Sequence, residues 1–264
     1  MIGHKLGGMN RRAIITGASS GIGRASVVLL RQRGWDVIGV ARRADRLESL
    51  AEETGAEVFA ADLTRQQDID ALAEFAGAAP VHSLVHIAGG ALGSDRVEDG
   101  DSDQWLRMFE MNALAAQRLV KAFLPQLRRT AADQSTHADL LFLTSTAAQA
   151  AYPGGGGYNA AKAAEAMIPR ALRQELVGEP IRVFEIAPGM VHTEEFSLTR
   201  LGDEGAAAAV YDGVDSPLVA EDVADVVSYC LNLPGHVNLD LITMRPVAQG
   251  AQHALHRGPL LPRV

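Results

Sequence analysis

The chain is poor in cysteine, in aromatic residues and in long apolar runs. It holds one cysteine among 264 residues, and aromatic residues make up 5%. One cysteine cannot form an intrachain disulfide, so we expect a reducing cytoplasm and interpret Cys230 as a small apolar residue buried on a helix. No stretch approaches the roughly 20 apolar residues of a membrane span, and residues 1–10, which we interpret as a flexible lead-in, lack the apolar core of a signal peptide.

Positive charge is also scarce. Lys and Arg number 24 against 32 Asp and Glu, which gives a net charge of −8. This balance argues against nucleic acid or an anionic membrane as a main partner, although a locally basic pocket would still accept an anionic cofactor. The eight histidines are scattered, and no His, Cys or Asp cluster has the spacing of metal ligands, so we expect no metal site.

Apolar residues, by contrast, make up 47% of the chain and recur in short runs separated by helical stretches. Strands are predicted at 13–16, 37–40, 57–60, 83–87, 139–144, 182–187 and 241–246. The alternation predicts an α/β fold, a doubly wound parallel sheet with helices on both faces, in a single domain over residues 11–264. Two segments depart from this alternation of strands and helices. One is a glycine-rich flexible loop at 149–157, and the other is a polar stretch at about 190–215 that we interpret as a helical lid over the substrate.

Residues 12–24 have the pattern of a short apolar strand, a glycine-rich turn and the start of a helix. A second predicted strand follows, which is the context that a dinucleotide-binding fingerprint requires. The glycines let backbone N–H groups approach a pyrophosphate, and the helix N-terminus adds partial positive charge. The turn residues predicted to bind the cofactor are Gly17, Ser19, Ser20, Gly21, Ile22 and Gly23. A plain glycine-rich turn is the alternative.

A second pattern lies further along the chain, where Tyr158 stands four residues before Lys162 and thirteen after Ser145. Residues four apart share one face of a helix, so the phenol and the ammonium would face one pocket. A phenol is a poor acid or base at neutral pH unless a neighbouring cation stabilises its phenolate. With Ser145 holding the oxygen, the three residues predict proton exchange with a carbonyl or an alcohol. A Tyr four residues before a Lys is also common on any solvated helix.

The spacing Gly17-x3-Gly21-x-Gly23 resembles that of the short-chain dehydrogenase/reductase family, and the resemblance extends along nearly the whole chain. Further matches follow in the family's order at Asp62, Leu63, Ala88, Gly89, Asn112, Ser145, Tyr158, Lys162, Pro188, Gly189, Val191 and Thr193. The resemblance implies a Rossmann-like fold and hydride transfer between a nicotinamide and a substrate carbon. It also implies that all of these residues except Asn112 and Ser145 contact the cofactor.

The resemblance assigns catalytic roles to four residues. Tyr158 exchanges the proton with the substrate oxygen, Lys162 lowers the pKa of Tyr158 and binds the nicotinamide ribose, and Ser145 hydrogen-bonds the substrate oxygen. Asn112 helps to relay protons through a water to Lys162. The chain departs from the family at His86-Ile87, where the family has Asn-Asn. This departure affects the polar contacts that support the sheet and the cofactor, and it leaves the Ser, Tyr and Lys chemistry untouched.

The end of the second predicted strand indicates NADP rather than NAD. An acidic residue there would accept from a ribose hydroxyl and repel a 2′-phosphate. This strand ends at Arg42 and Arg43, and Asp36 lies at its other end. Arg42 would clamp the phosphate through its guanidinium, with Arg43 beside it and Ser19 or Ser20 adding hydroxyl donors. The alternative is that both arginines cap a solvated loop.

Residues 193–200, 234–238 and 244–247 resemble the subfamily of NADP-dependent 3-hydroxy acid dehydrogenases, which includes serine and allo-threonine dehydrogenases. That resemblance implies a small 3-hydroxy acid, its oxo partner or a semialdehyde as substrate. Two glutamates precede Phe196 where the subfamily has one, which could shift the register of the lid. Arg200 is the candidate for pairing a substrate carboxylate, and a surface pairing with Asp203 or Glu204 is the alternative.

Two other functions stay open. A broader carbonyl reductase would also turn over apolar ketones or larger aldehydes. A non-catalytic NADP-sensing module would be expected to lose Tyr158 or Lys162, and this chain keeps both. By analogy with the family we further expect a homotetramer or homodimer, with residues 238–252 supplying one edge.

Overall fold

The computed structural model describes residues 11–132 and 136–262, so the predicted lead-in over 1–10 lies outside the described residues. Seven strands form one parallel sheet in the order β3-β2-β1-β4-β5-β6-β9. Their bounds are β1 Arg12–Thr16, β2 Asp36–Ala41, β3 Glu57–Ala60, β4 Ser83–His86, β5 Ala138–Leu143, β6 Ile181–Pro188 and β9 Ile242–Met244. Strands β7 (Val191–His192) and β8 (Leu218–Val219) pair separately.

Helices cover both faces of this sheet. Their bounds are α1 Gly21–Gln32, α2 Ala44–Thr54, α3 Gln66–Ala76, α4 Ser102–Phe109, α5 Ala115–Ala131, α6 Gly156–Glu175, α7 Phe196–Leu201, α8 Glu204–Ala209 and α9 Ala220–Leu231. The predicted fold, a doubly wound parallel sheet, is confirmed, and each of the seven predicted strands lies within two residues of an observed one. Among the described residues, no helix is both long and apolar enough to cross a bilayer.

Two apolar cores form because alternate residues of a strand point to opposite faces. On β1, Ile14 packs with helices α3, α5 and α6, whereas Ala13 and Ile15 pack with α1, α2 and α9. Ile14, Ala13 and Ile15 are fully buried. Burying such side chains contributes roughly 1.5–3 kcal/mol each for the larger aliphatic ones, which holds the helices to the strands and keeps the strand ends in place.

The strand order reverses between β1 and β4, because β2 and β3 lie to one side of β1 and the later strands to the other. In open parallel sheets, ligands bind in the crevice at the carboxyl ends of the strands near such a reversal. Thr16, His86, Leu143 and Pro188 mark that edge here, since each is the last residue of its strand.

The glycine-rich segment before α6 differs from its prediction. We predicted a loop over 149–157, but α6 begins at Gly156, so the last two glycines are helical. A Cβ on Gly157 would lie 2.4 Å from Cε of Met108 on α4 and 3.0 Å from the Trp105 ring. The absence of a side chain therefore lets the first turn of α6 pack closely against α4.

Candidate active site

A cavity of about 1060 Å³ lies at the carboxyl edge of the sheet. The predicted site residues that line it are Gly17, Ser19, Ser20, Gly21, Ile22, Gly23, Arg42, Arg43, Asp62, Leu63, Ala88, Gly89, Ser145, Tyr158, Lys162, Pro188, Gly189, Val191, Thr193 and Arg200. Asn112 does not line the cavity but lies directly behind Gly89, because a Cβ on Gly89 would sit 2.5 Å from the Asn112 Oδ1. Residues from distant parts of the chain thus meet at one edge.

The glycine turn between β1 and α1 leaves backbone exposed to this cavity. Gly17 has φ +72°, and a Cβ on Gly23 would lie 2.1 Å from the Gly17 carbonyl oxygen, so neither position accommodates a side chain without backbone movement. Helix α1 begins at Gly21 with no acidic side chain in its first turn. Its N–H groups can therefore receive an anion, and the turn fits the pyrophosphate of a dinucleotide.

An anion-binding cluster lies beside the turn. The Arg43 guanidinium donates to the Ser19 hydroxyl at 2.8 Å, to the Ser20 hydroxyl at 3.1 Å and to the Glu195 carboxylate at 2.7 Å. Glu195 also accepts from Ser20 at 3.0 Å and pairs with Arg46 at 3.1 Å. The hydrogen bond from Arg43 is the main reason that the pKa of Glu195 lies below its ordinary value. This cluster already holds one carboxylate, which comes from the 190–215 segment.

Arg42 takes a different place from Arg43. It lines the same cavity, and its charge acts on Asp62. Burial raises the pKa of Asp62, but hydrogen bonds from Thr64 and the charge of Arg42 outweigh burial and bring the pKa below its ordinary value. Of the two arginines, Arg43 is the one that contacts Ser19 and Ser20.

Ser145, Tyr158 and Lys162 converge as the sequence predicts. Ser145 follows β5 and caps a short 3₁₀ helix, Thr146–Ala148, where its hydroxyl accepts from the Ala147 N–H at 3.1 Å. Tyr158 and Lys162 lie one turn apart on α6, and both are buried. The Tyr158 ring packs against Phe196 of α7, with the ring centroids 5.7 Å apart.

The pKa of Tyr158 differs from the prediction. Burial raises it, and although Lys162 and a hydrogen bond with Ser145 act in the opposite direction, the net pKa lies above its ordinary value. Burial is the main cause, and a carboxylate behind Lys162 adds to it, because the Lys162 Nζ donates to the Leu143 carbonyl at 3.1 Å and to Glu165 Oε2 at 2.7 Å. The Glu165 carboxylate offsets the ammonium, so Lys162 stabilises a phenolate less than a lone cation would.

Sequence reasoning missed Glu165 because no motif includes it. One signal was available: Glu165 follows Lys162 by three residues and Tyr158 by seven, which places all three on one face of a helix. A carboxylate on the buried face of a helix is rare unless it is paired. The sequence predicts a possible register shift from the two glutamates before Phe196, but it does not predict the pairing of Glu195 with Arg43.

Asn112 lies in a π-helical turn, Glu110–Leu114, that joins α4 to α5. Such turns widen the helix by one residue and are frequent at functional sites. The Asn112 amide donates to the carbonyls of Gly90 at 2.9 Å and Met108 at 2.7 Å, and its oxygen accepts from the Gly90 N–H at 3.1 Å. Asn112 therefore anchors the loop after β4 against the helix.

His86, which stands where the resemblance implies an asparagine, contacts the adjacent strand β1. Its Nδ1 lies 3.1 Å from Oγ1 of Thr16, at the end of the adjacent strand. The same Thr16 oxygen accepts from the N–H groups of Ile87 and Ala88, each at 3.0 Å. The loop that leads to Gly89 is thus held to β1 through Thr16.

Arg200 on α7 does not form the surface ion pair that was the alternative prediction. It donates to the Gly93 carbonyl at 3.1 Å, the Tyr152 hydroxyl at 3.0 Å and the Gly154 carbonyl at 2.9 Å. Among the described residues, no carboxylate pairs with it. Its guanidinium carbon lies 5.8 Å from the centroid of the Tyr158 ring. A cation without a carboxylate partner therefore stands next to the phenol.

Comparison with known proteins agrees with this geometry. The family model for short chain dehydrogenases matches residues 11–203. An uncharacterized oxidoreductase of Mycobacterium tuberculosis is 44% identical over 95% of this chain and 98% of its own length. Sulfoacetaldehyde reductase 2 of Chromohalobacter salexigens is 37% identical over 91% of this chain and 96% of its own.

A solved structure, the closed form of serine dehydrogenase complexed with NADP+, superimposes with a TM-score of 0.85. It is 30% identical and covers 96% of this chain and 100% of that one. The predicted resemblance to the serine dehydrogenase group is confirmed. The chain therefore belongs to the short-chain dehydrogenase family, oxidoreductases that act on CH–OH groups and use a nicotinamide cofactor.

Proposed function

We propose that this protein is an NADP(H)-dependent oxidoreductase that interconverts a small 3-hydroxy acid with its oxo acid or semialdehyde. The observation that carries the proposal is the Arg200 guanidinium, which has no carboxylate partner among the described residues and lies 5.8 Å from the Tyr158 ring in one cavity. A guanidinium beside the ring of the acid–base residue would bind the anionic end of a substrate only a few atoms long.

Three side chains of the site have separate roles in the proposed reaction. Tyr158, whose pKa burial raises above the ordinary value, is protonated at neutral pH in the ligand-free protein and is set to donate its proton to a substrate oxygen. Ser145 hydrogen-bonds the same oxygen, and Lys162 orients the ribose and restores the proton. When bound, the nicotinamide supplies or accepts the hydride at the substrate carbon.

The anion cluster supports the choice of NADP. Arg43 and Ser20 already hold the Glu195 carboxylate through one guanidinium and one hydroxyl, and the Ser19 hydroxyl accepts from the same guanidinium. A phosphate would use the same donors, because a guanidinium matches carboxylate and phosphate oxygens in the same way. We propose that the 2′-phosphate of NADP takes the place of the Glu195 carboxylate, with Arg42 as a second cation.

The relatives point to the same kind of substrate. Serine carries a carboxylate and sulfoacetaldehyde a sulfonate, and each places its anionic group within a few bonds of the reacting carbon. Both names belong to the relatives, and the Arg200 geometry is the reason for proposing an anionic substrate here.

Apolar side chains favour a second candidate, a broader carbonyl reductase. Phe196 and Leu198 of α7 line the cavity, and both are exposed to it. An apolar ketone would pack against them without using Arg200. The two functions are therefore separated by their dependence on Arg200.

The test measures NADPH oxidation against small oxo acids and semialdehydes in one set and apolar ketones in the other. Turnover of the anionic set supports the proposal. We further expect the Arg200→Ala variant to have a KM for these substrates that is about 100-fold higher. Arg200→Lys is the matched control, because it keeps the charge but not the fork, and we expect a smaller loss. A Tyr158→Phe variant with full turnover would refute the assignment of Tyr158.

We also propose a homotetramer or homodimer in the cytoplasm. β9, within the predicted interface segment 238–252, is an edge strand, and Val247 in that segment is exposed. Exposed strand edges and apolar side chains favour burial against a second copy. Light scattering of the purified protein tests this, and a monomer at micromolar concentration would contradict it.

A further inference from the structure

Three polar side chains lie behind Lys162, away from the cavity. Glu165 on α6, His86 on β4 and Thr16 on β1 are all essentially inaccessible to solvent, and none of them lines the cavity. Burying a carboxylate costs several kcal/mol unless its oxygens are paired. We therefore expect each oxygen of the buried Glu165 carboxylate to face a donor.

The hydrogen bonds of the Thr16 hydroxyl fix the tautomer of His86. The Thr16 oxygen accepts from two backbone N–H groups, those of Ile87 and Ala88, and so uses both of its lone pairs. Its own O–H must then donate to His86 Nδ1, which lies 3.1 Å away. His86 consequently carries its proton on Nε2, and burial lowers its pKa to about 3, so the ring is neutral.

That Nε2–H faces Glu165. The distance from His86 Nε2 to Glu165 Oε1 is 3.7 Å, which is too long for a hydrogen bond, and neither atom has a hydrogen-bond partner among the described residues. The other carboxylate oxygen, Oε2, accepts from Lys162 at 2.7 Å. Glu165 thus stands between an ammonium and an N–H donor, and a short movement of either side chain would close the second contact.

Charged groups reach Glu165 from several elements. Lys162 comes from its own helix and lowers the pKa of Glu165, whereas Glu185 on β6 raises it. The neutral His86 faces it from β4, and the Asn112 backbone carbonyl faces the His86 ring. Burial is the largest influence and raises the pKa of Glu165 to about 7, so its charge changes near neutral pH.

The charge of Glu165 reaches Tyr158 through Lys162. An ionised Glu165 offsets the ammonium, and the phenol then keeps its proton. A protonated Glu165 leaves the ammonium uncompensated, which favours the phenolate. Glu165 itself also raises the pKa of Tyr158 directly.

We propose that Glu165, backed by His86, is a positioning residue that holds the Lys162 ammonium and sets the pH range over which Tyr158 exchanges its proton. The proposal rests on the proposed function in that Tyr158 is the acid–base group. Its geometric basis is independent of the substrate.

The experiment titrates the Tyr158 phenolate directly. The ultraviolet difference spectrum between a protein and the same protein with Tyr158→Phe isolates that phenol, since the other tyrosines cancel. In a Glu165→Gln background we expect the midpoint to fall by about one pH unit, because Lys162 is then uncompensated. An unchanged or raised midpoint would overturn the proposal.

Asp139→Asn is the matched control. Asp139 is equally buried and pairs with Arg182 at 2.7 Å, but it lies at the opposite end of β5 from Leu143. This variant should lose stability and leave the Tyr158 midpoint in place. A shift as large as that of Glu165→Gln would assign the effect to general loosening and refute the proposal.

If Glu165→Gln does not fold, Glu165→Asp provides the second test. The shorter carboxylate lies farther from the Lys162 ammonium and offsets it less, so we expect the Tyr158 midpoint to fall by a smaller amount. An unmoved midpoint would overturn the proposal.

Turnover separates this proposal from the proposed function. In the oxidative direction, the acidic limb of the pH profile should move to lower pH in Glu165→Gln by the same amount as the phenolate midpoint. If Tyr158→Phe keeps full turnover, the proposed function fails while the titration still decides the role of Glu165. If Tyr158→Phe is inactive and the Glu165→Gln profile matches wild type, only the role of Glu165 fails.

Discussion

Replacing Glu195 by glutamine should strengthen NADPH binding and leave NADH binding nearly unchanged. Glu195 now accepts from Arg43 and Ser20 and pairs with Arg46. A 2′-phosphate that uses Arg43 and Ser20 must first displace this carboxylate. NADH carries no phosphate there, so it binds without displacing Glu195.

The expected gain in NADPH affinity is limited by the solvent exposure of the Arg43–Glu195 ion pair. The side chains of Arg43 and Glu195 are 39% and 27% exposed, so solvent screens their pairing. A partly exposed ion pair of this kind contributes about 1 kcal/mol. Removing the competing charge should therefore tighten NADPH binding about fivefold, since each tenfold step corresponds to about 1.4 kcal/mol.

Fluorescence titration of both cofactors measures the change, at low and at high salt. The gain for NADPH should shrink as salt screens the cluster. Glu194→Gln is the control, because Glu194 is 76% exposed, pairs with Arg46 at 3.4 Å and, among the described residues, makes no hydrogen bond to Arg43. Equal changes for both cofactors, or weaker NADPH binding in Glu195→Gln, would refute the displacement. Arg43→Ala should weaken NADPH binding more than Arg42→Ala does.

Two further predictions concern backbone space and pH. Gly23→Ala places a Cβ 2.1 Å from the Gly17 carbonyl oxygen, so the backbone of the turn must move. Calorimetry should show both a lower stability of the fold and a loss of cofactor binding. Unaltered cofactor binding would contradict the assigned turn geometry. The pKa of His86 is lowered from 6.5 to about 3, so the unfolded chain binds its proton first and stability is lost as pH falls from about 6.5 toward 3. By pH 5 the loss due to His86 is about 2 kcal/mol, whereas Glu165, whose pKa is raised to about 7, contributes in the opposite direction. The test is therefore the difference from wild type: between pH 7 and pH 5, urea unfolding should show His86→Asn gaining about 2 kcal/mol relative to wild type, and an unchanged difference would exclude the His86 contribution.

The seven strands and the converging site residues could be predicted because their signals are local. A buried parallel strand is a short apolar run, and helices between such runs bring every carboxyl end to one edge of the sheet. Gly17, Ser145, Tyr158 and Lys162 follow those ends or lie on one helix face, so their meeting depends on topology alone. The first residue of α6 was harder to predict, because glycine occurs both in loops and where two helices pack closely.

Contacts between residues that lie far apart in the chain have no local sequence pattern that predicts them. Glu195 meets Ser20 across 175 residues of sequence, and His86 meets Thr16 across 70. Whether Arg42 or Arg43 faces the serines, and whether Arg200 pairs with a carboxylate, depends on the side-chain directions of packed elements. The net pKa of Tyr158 depends on burial, which outweighs the neighbouring cation.

The sequence by itself determined the fold and the family and predicted which residues meet at the site, because these follow from short-range pattern and spacing. Only the tertiary structure decided how those groups are charged and what holds them. Electrostatic energies depend on distance and on exclusion of water, and both are set by residues far apart in the chain. Glu165 behind Lys162 and Glu195 on Arg43 are the two places where that distinction matters most here.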